Sequence, residues 1–307
     1  MKSQTPNPMK ILITGANGFI GSALMCALEK SHEVIGLVRR AQNLPFNYSV
    51  IDDICQITAD DLVGVACVIH AAGIAETGAD EAELQRVNVE GAKCLAIACR
   101  KAGVAQLINL SSVKAAGEGS VGPDVADQPD SAYGRSKHLA EVEIDSVTAG
   151  SDTQVVHLRF PLVYGPEVQN NFQKLIRLSK SWLPLPLSSL TAKRSYCFIG
   201  NLIELIESHL GSASAEAVIY VADAEPMTLP ALLAELARVQ GNRPMLIPFP
   251  ESLLKLVVKL IKPGYSNQLF ANAVVDISST RDLFKDWKPK TTVDALSYLE
   301  IGRDGRI

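Results

Sequence analysis

Short apolar segments alternate with amphipathic helical patterns along the first half of the chain. The apolar segments are KILIT (10–14), EVIGLV (33–38), VACVIHAA (65–72), QLINLSS (106–112) and VVHLRFPLV (155–163). Helical patterns lie between them at 19–30, 81–102 and 131–147. Because the segments are apolar throughout rather than alternating, they are typical of parallel strands covered by helices on both faces. The pattern predicts an α/β fold with a doubly wound parallel sheet.

The second half of the chain has a different pattern, with more helix and more proline. Its predicted helices are 170–180, 231–240 and 252–261, and a proline-rich stretch, WLPLPLSSL, follows the first of them. We therefore predict a first domain over 1–165, to which the segment 194–224 returns. The segments 166–193 and 225–307 are predicted to form a smaller, mostly helical C-terminal domain that binds substrate.

Composition and charge exclude several classes of protein. Of the 307 residues, 47% are hydrophobic and 20% charged, as in ordinary globular proteins, and the net charge of −4 makes nucleic acid an unexpected partner. The six cysteines show no CxxC pair and no metal-ligand spacing, so we expect reduced thiols and no metal. No stretch approaches the ~20 apolar residues of a membrane span. We expect a cytoplasmic protein without stable membrane insertion; SLLKLVVKLI (252–261) is interpreted as a core-packing helix, with interfacial anchoring as the alternative.

A glycine-rich segment, TGANGFIG (14–21), follows the first strand and opens the first helix. In this position Gly15 suits a tight turn, Gly18 a close backbone approach to a diphosphate, and Gly21 close packing of helix on strand. The segment predicts a Rossmann-type dinucleotide-binding domain, with a tight turn that binds no ligand as the alternative. The cofactor contacts predicted here are Gly15, Asn17, Gly18, Phe19, Ile20 and Gly21.

The end of the second strand bears on the choice of dinucleotide. NAD-binding proteins usually place an acidic residue there, whereas this strand ends in Arg39 and Arg40, two guanidiniums suited to a 2′-phosphate. The sequence thus favours NADP(H), with NAD(H) as the alternative if both arginines are only solvated. Asp53 is predicted either to cap the adenine edge or to be a surface turn residue.

Tyr133 and Lys137 form a YxxxK pair within a predicted helix. Residues four apart share a helix face, so the ammonium lies beside the phenol. At ~4 Å and an effective dielectric of ~20, an interaction of about 4 kcal/mol sets an upper bound of ~3 units on the lowering of the phenol pKa, enough to bring it from ~10 to near 7. The pair therefore suits acid–base catalysis, with an ordinary amphipathic helix that carries an exposed pair as the alternative. Ser111 and Ser112 end the QLINL strand, at the sheet edge where catalytic groups gather.

Several motifs in order carry a family resemblance. They are TGANGFIG (14–21), HAAG (70–73), Asn88, LSSVKAAGE (110–118), YGRSK (133–137) and LRFPLVYGP (158–166). Together they resemble the extended short-chain dehydrogenase/reductase family, and the likeness continues through 193–205, 217–236 and 276–296. It is closest to the nucleotide-sugar epimerase and reductase branch, including UDP-glucose 4-epimerases. The SSVKAAGE and PLPL stretches and the KRS segment resemble members that handle UDP-linked 4-keto-6-deoxy-N-acetylhexosamines.

The resemblance implies roles for individual residues. Tyr133 corresponds to the general acid/base, Lys137 to the residue that lowers its pKa and holds the nicotinamide ribose, and Ser112 to the group that binds the reacting oxygen. Further cofactor contacts implied are Ala71, Ala72, Gly73, Asn88 and Pro161; further substrate contacts are Lys114, Asn171 and Arg194, the last on the diphosphate. Arg194 has a surface salt bridge as its alternative. Three positions depart from the pattern and leave the sugar contacts open: Ala116, Leu162 and Asn201.

The expected function is an NAD(P)-dependent oxidoreductase that transfers a hydride at C4 of a UDP-hexose. A reductase of a UDP-4-keto-6-deoxy-N-acetylhexosamine is favoured, because the Arg39–Arg40 strand end suggests exchangeable NADPH. A UDP-glucose or UDP-N-acetylglucosamine 4-epimerase is the main alternative; a small ketone or steroid reductase and a non-catalytic NADP-binding sensor are others.

The resemblance implies a homodimer through the helices 81–102 and 131–147. His70 is interpreted as a packed residue rather than a base, and Trp182 as part of a lid or of a hydrophobic seam.

Overall fold

The computed structural model describes residues 8–74, 79–168, 170–212, 216–261 and 269–297. In the first half of the chain, strands and helices alternate as the sequence predicts. The strands are β1 (Lys10–Thr14), β2 (Glu33–Val38), β3 (Tyr48–Val50), β4 (Cys67–His70), β5 (Gln106–Leu110) and β6 (Gln154–Arg159). The helices are α1 (Phe19–Leu28), α2 (Glu81–Leu84), α3 (Gly91–Ala102) and α4 (Ala132–Thr148).

The second half contains shorter strands and more helix. Its strands are β7 (Val163–Tyr164), β8 (Lys193–Arg194), β9 (Cys197–Phe198), β10 (Val218–Tyr220) and β11 (Met227–Thr228). Its helices are α5 (Asn170–Ser179), α6 (Ile199–His209), α7 (Leu229–Val239), α8 (Glu251–Ile261), α9 (Ser278–Leu283) and α10 (Thr292–Ser297). The two-residue strands were not predicted, because so short a segment has no periodicity to detect.

Seven strands form one sheet in the order β10-β6-β5-β4-β1-β2-β3. The pairs from β3 through β6 are parallel, and Thr14 of β1 lies opposite His70 of β4. The strand order reverses between β1 and β4, so the segments that leave their carboxyl ends diverge there. This is the place where open parallel sheets bind ligands. The predicted Rossmann-type doubly wound sheet is confirmed.

Both faces of this sheet are buried, as the apolar strands predict. β4 and β5 are buried along their whole length. On one face, Leu12, Val68 and Leu107 pack in a core that includes Leu95 of α3 and Ile144 of α4. Fully burying each of these side chains contributes roughly 1.5–3 kcal/mol relative to leaving it in water. This packing fixes the strand ends that carry the candidate site.

Two predicted elements are interrupted in the structure. The helix predicted at 81–102 is α2 and α3 joined by a π-helical turn, Gln85–Glu90, which buries Asn88. The strand predicted at 155–163 ends at Arg159, and Val163–Tyr164 forms the separate strand β7, which pairs with β9. Pro161 lies in the gap between the two strands. Proline has no backbone N–H, so it cannot donate a hydrogen bond to a neighbouring strand.

The chain divides into two compact units with bounds that differ from the predicted ones. The first unit comprises 1–116, 127–159 and 203–219, and the second comprises 117–126, 160–202 and 220–307. The predicted first domain ran to 165 with a return over 194–224. The segment that returns is therefore shorter than expected, and 117–126 lies in the second unit instead of the first.

A buried carboxylate connects distant segments of the second unit. Asp223 accepts hydrogen bonds from the Phe198 amide (2.7 Å), Asn201 Nδ2 (2.8 Å), Tyr164 Oη (2.8 Å) and Thr292 Oγ1 (2.7 Å). The ring of Tyr164 also stacks on that of Phe172, with centroids 4.7 Å apart. Asn201, noted in the sequence as a departure, is thus a fully buried structural residue of this unit.

Helix α8 buries less of its apolar surface than the sequence predicts. Leu254 is buried, whereas Leu253, Leu256 and Leu260 are exposed, the last of them 76%. The expectation of a core-packing helix therefore holds for only one side of α8. Within the part of the chain that the structure describes, no helix has the length and apolarity that crossing a bilayer requires.

Candidate active site

The turn from β1 into α1 accepts only glycine at two positions. At Gly15 φ is +66°, and a Cβ there would lie 2.8 Å from the Ala72 backbone nitrogen. At Gly21 a Cβ would overlap the carbonyl oxygen of Gly15. These contacts bring the start of α1 onto the turn and the turn onto the loop after β4. The predicted reasons for both glycines, a tight turn and close packing, match this geometry.

The start of α1 has the features that a diphosphate needs. Gly18 is the N-cap residue, no side chain caps it, and the first turn contains no acidic residue. Asn17 and Gly18 are exposed, whereas Phe19 and Ile20 are half-buried. Uncapped backbone N–H groups and the helix dipole both favour an anion at such an end. The residues at this turn therefore fit the diphosphate of a dinucleotide.

His70 joins this turn to the end of β4. Its Nδ1 lies 2.8 Å from Thr14 Oγ1, which accepts a hydrogen bond from the Ala72 amide at 3.1 Å. Burial, together with the positive charge of Lys137, lowers the pKa of His70 to about 3. The imidazole is therefore neutral at neutral pH. It acts as a packed structural residue that holds the Ala71–Ala72 backbone beside Gly15.

Asn88, in the π-helical turn, connects the loop after β4 to α4. Its Oδ1 accepts from the Ile74 amide at 2.8 Å, and its Nδ2 donates to the Ile74 carbonyl (3.2 Å) and to Ser136 Oγ (3.0 Å). Ser136 Oγ in turn donates to the Tyr133 carbonyl at 2.9 Å. The Asn88 amide, predicted as a cofactor contact, is thus engaged by protein groups on both sides. It positions the Gly73–Ile74 backbone and the first turn of α4.

Tyr133 lies in the first turn of α4, next to the segment that follows β5. Ser131 caps this helix by accepting from the Gly134 amide at 3.0 Å. Gly134 packs so closely on the Val113–Ala115 turn that a Cβ there would overlap the Lys114 carbonyl oxygen. Any larger residue would separate α4 from this turn. Gly134 therefore places Tyr133 close to the strand end that carries Ser112.

Lys137 is buried beneath the same strand end. Its Nζ donates to the Leu110 carbonyl at 2.8 Å, and a Cβ on Gly73 would lie 3.9 Å from that nitrogen. Burial lowers the pKa of Lys137 to about 8, although the negative charge of Glu141 opposes this shift. The ammonium is thus held at the carboxyl end of the sheet, one helical turn from Tyr133. Because the pKa of Lys137 lies close to neutral pH, nearby charges can change the fraction of this side chain that is protonated.

The two serines after β5 have different surroundings. Ser111 donates its hydroxyl hydrogen to Glu141, whereas Ser112 Oγ accepts from the Lys114 amide at 3.2 Å. The hydroxyl hydrogen of Ser112 can therefore still be donated to another oxygen. This difference supports Ser112, rather than Ser111, as the residue that binds a reacting oxygen. Lys114 lies in the turn that Ser112 caps and is half-buried.

Arg39 and Arg40 follow β2 directly, and both are exposed. Asp53 lies beyond β3, where its Oδ1 accepts from the Cys55 amide (3.0 Å) and its Oδ2 from Arg86 Nη1 (3.0 Å). Both oxygens of Asp53 thus have protein partners, which favours the turn-residue interpretation. An adenine contact from Asp53 stays a prediction.

The remaining predicted residues belong to the second unit. Arg194 lies on β8, opposite Met227 of β11, and is half-buried. Burial lowers the pKa of its guanidinium, while nearby Tyr196 and Glu118 oppose that shift. Pro161 is half-buried between β6 and β7, and Trp182 is 83% exposed. The side chain of Asn171 lies outside the described residues.

Comparison with known proteins identifies the family. Residues 11–221 match the NAD dependent epimerase/dehydratase family. The chain belongs to this family. It is 33% identical over 306 residues to a UDP-glucose 4-epimerase of Vibrio cholerae, covering 93% of this chain and 92% of that protein.

Solved structures resemble the fold of this family member at lower identity. The Bordetella bronchiseptica enzyme WbmG in complex with NAD superposes with a TM-score of 0.77 at 22% identity, covering 96% of this chain and 94% of that one. The UDP-N-acetylglucosamine 4-epimerase from Bacillus cereus gives a TM-score of 0.76 at 18% identity, covering 94% and 97%. The predicted membership of an NAD(P)-dependent enzyme family is confirmed.

Within the first unit, the structure brings the predicted glycine turn, the 71–73 backbone, Ser112 and Lys137 to the carboxyl edge of the sheet. Sequence reasoning missed Gly134 and Ser136, which lie inside the YGRSK motif of this family member. The missing side chain of Gly134 was a signal, because only glycine allows the helix to approach the Val113–Ala115 turn so closely. Their partners, Lys114 and Asn88, are distant in sequence and were not predictable from the motif.

Proposed function

We propose that this protein transfers a hydride at C4 of a UDP-hexose, with net reduction of a UDP-4-keto-6-deoxy-N-acetylhexosamine as the favoured reaction. The observation that carries the proposal is the arrangement of Lys137 and Ser112 around the end of β5, with Tyr133 on the same face of α4 as Lys137. A non-catalytic dinucleotide sensor has no need of such a set.

When bound, the nicotinamide supplies or accepts the hydride. Tyr133 is proposed to deliver a proton to the C4 oxygen in reduction and to remove it in oxidation. Lys137 stabilises the phenolate of Tyr133 by its positive charge. Ser112 donates a hydrogen bond to the C4 oxygen of the sugar. Arg194 is proposed to bind the substrate diphosphate, since a guanidinium matches phosphate oxygens in charge and shape.

We propose NADP(H) as the exchangeable cofactor, with Arg39 and Arg40 on its 2′-phosphate. Both guanidiniums are exposed at the end of β2, where an acidic residue would otherwise bind the ribose. NAD is bound in several structural neighbours, and NAD(H) is therefore the alternative.

The cofactor preference is tested with the double variant Arg39→Ala/Arg40→Ala. Because two phosphate contacts are removed, its Kd for NADPH should rise at least about tenfold, while its Kd for NADH stays the same. Arg238→Ala, which removes an exposed arginine paired with Glu235, is the control. Titration of cofactor fluorescence gives both constants. Tighter binding of NADH than of NADPH by the unaltered protein would refute the preference.

A second candidate function is 4-epimerisation of UDP-glucose or UDP-N-acetylglucosamine. It is favoured by the Vibrio cholerae relative, a UDP-glucose 4-epimerase that shares a third of its residues with this chain. An epimerase keeps its nicotinamide bound and returns the hydride to the opposite face of the sugar. The same Tyr133, Lys137 and Ser112 would serve both reactions.

One experiment separates the two candidates. The purified protein is incubated with UDP-4-keto-6-deoxy-GlcNAc and NADPH, and separately with UDP-glucose and UDP-GlcNAc without added reductant, while absorbance and sugar products are followed. NADPH oxidation by the ketone supports reduction, and formation of an epimer without reductant supports the second candidate. Tyr133→Phe should lower turnover at least about 100-fold while binding cofactor normally. Unchanged turnover in that variant would end the catalytic assignment of Tyr133.

A further inference from the structure

An ion network of Arg159, Glu141 and Asp127 begins one helical turn beyond Lys137 on α4, and its Arg159 and Glu141 are buried. Arg159, at the end of β6, donates through Nε to Glu141 Oε1 (3.0 Å) and through Nη2 to Glu141 Oε2 (2.5 Å). Its Nη1 and Nη2 also each donate to one oxygen of Asp127, both at 2.7 Å. Arg159 and Glu141 are each only 4% exposed. The guanidinium thus holds the Glu141 carboxylate in one orientation with paired hydrogen bonds, the geometry in which such pairs are strongest.

Glu141 also binds the segment that carries Ser112. Its Oε1 accepts the hydroxyl hydrogen of Ser111, the residue immediately before Ser112. The Ser111 amide in turn donates to the Leu158 carbonyl at 2.9 Å. Ser111 is therefore held through both its backbone and its side chain. Because a peptide bond joins it to Ser112, its position limits where the Ser112 hydroxyl can lie.

Spacing along α4 relates Glu141 to the catalytic pair. Tyr133, Lys137 and Glu141 follow one another at intervals of four residues, so they share one face of the helix. Lys137 binds the Leu110 carbonyl, and Glu141 binds the Ser111 side chain. Two successive residues at the end of β5 are thus attached to two successive turns of α4. This double attachment defines the register between the helix and the strand end.

We propose that Glu141, held by Arg159 and acting through Ser111, is a positioning residue that sets the location of Ser112 relative to the Tyr133–Lys137 face of α4. This inference rests on the proposed function, because it assigns the reaction to those three residues. The proposal gives Glu141 a role in the reaction although its carboxylate does not contact the substrate. Misplacement of a reacting group by about 1 Å can lower a rate about 100-fold, so this attachment matters for turnover.

The test uses two small substitutions, each of which weakens the attachment between Glu141 and Ser111. Ser111→Ala removes only the hydroxyl that binds Glu141. Glu141→Asp keeps the charge but shortens the side chain by one methylene, so its carboxylate cannot reach Ser111 and Arg159 in the same geometry. The matched control is Glu143→Asp, the same change two residues along the same helix, where the carboxylate forms a half-exposed pair with Lys93.

We expect kcat to fall about 10- to 100-fold in both test variants, with KM and the cofactor Kd within about threefold of the parent values. The control should keep parental kcat. Thermal unfolding measured alongside identifies loss of folded protein. Parental kcat in both test variants would overturn the inference, and so would a loss of kcat matched by an equal loss of cofactor binding or folded fraction.

Crystal structures of the parent and of Ser111→Ala give a readout that does not depend on turnover. The inference requires Ser112 Oγ to shift or to occupy more than one conformation relative to Lys137 Nζ in the variant. An unchanged Ser112 would overturn it even if the parent converts none of the UDP-sugars offered. Failure of the parent to turn over any of them would count against the proposed function alone.

Discussion

At the scale of single residues, the first unit places ionisable groups where water cannot stabilise their charge. His70 and Lys137 are both buried near the carboxyl ends of β4 and β5, and burial lowers the pKa of each. The two groups differ in what opposes that shift. At Lys137 the negative charge of Glu141 opposes the shift, and Nζ also donates a hydrogen bond to the Leu110 carbonyl. At His70 the positive charge of Lys137 adds to the shift instead. Lys137 therefore keeps a pKa near neutrality, and His70 stays neutral well into the acidic range.

The lowered pKa of His70 predicts a loss of stability in acid. An unfolded histidine titrates at 6.5, whereas folding lowers the pKa to about 3. Between these values the unfolded state binds the additional proton, so the contribution to stability is complete above pH 6.5 and declines towards pH 3. We expect His70 to contribute about 2 kcal/mol to the decline in unfolding free energy between pH 7 and pH 5. Urea denaturation at the two pH values measures it.

His70→Gln should show a shallower decline than the parent, and His32→Gln, a half-buried histidine of the same unit, is the control. Equal pH dependence in the parent and His70→Gln would contradict the prediction.

At the scale of elements, the sequence pattern was sufficient wherever an element has its own periodicity. The strands at 10–14 and 33–38 and the helices at 19–28 and 132–148 lie within a few residues of their predicted bounds. The π-helical turn at Gln85–Glu90 and the end of β6 at Arg159 were not predicted. The first is a local interruption within a helical pattern and the second within an apolar run, and periodicity averages over both.

The contact between α4 and the Val113–Ala115 turn gives an element-scale prediction. Gly134→Ala places a methyl group against the Lys114 carbonyl and forces the two segments apart. We expect a loss of roughly 1–3 kcal/mol in unfolding free energy and about a tenfold or greater fall in turnover, because Tyr133 moves with the helix. Denaturation and steady-state kinetics measure the two effects.

Gly119→Ala is the control, since a Cβ at Gly119 has no neighbour within 4 Å. Normal turnover in Gly134→Ala would show that this contact does not position Tyr133.

At the scale of the whole molecule, the parallel sheet and the family were accessible from sequence, whereas the bounds of the two units were not. The order of motifs identified the family because each motif keeps its place along the chain. Unit bounds depend on which segments pack together, and 117–126 joins a unit formed mainly by residues beyond 160. No local pattern within those ten residues indicates that choice.

Asp223 gives the prediction at this scale, because it connects four segments of the second unit. Asp223→Ala leaves buried donors without an acceptor, and we expect a loss of about 3 kcal/mol or more in unfolding free energy. Thr292→Val removes one of the four hydrogen bonds and should lose about 1 kcal/mol. Chemical denaturation measures both. Near-parental stability of Asp223→Ala would mean that this carboxylate does not hold the segments together.

The sequence by itself determined the class of fold, the glycine turn after β1 and the Tyr133–Lys137 pair. The class of fold follows from the alternation of strand and helix patterns along the first half of the chain. The glycine turn and the Tyr133–Lys137 pair each depend on residues within one or two helical turns, where spacing along the chain dictates spacing in space. Only the tertiary structure decided that Asn88 and Ser136 bind each other, that Ser111 binds Glu141, and that Asn201 binds Asp223. These partners are separated by tens of residues, and they meet because the strand order and the packing of helices on the sheet bring them within hydrogen-bonding distance.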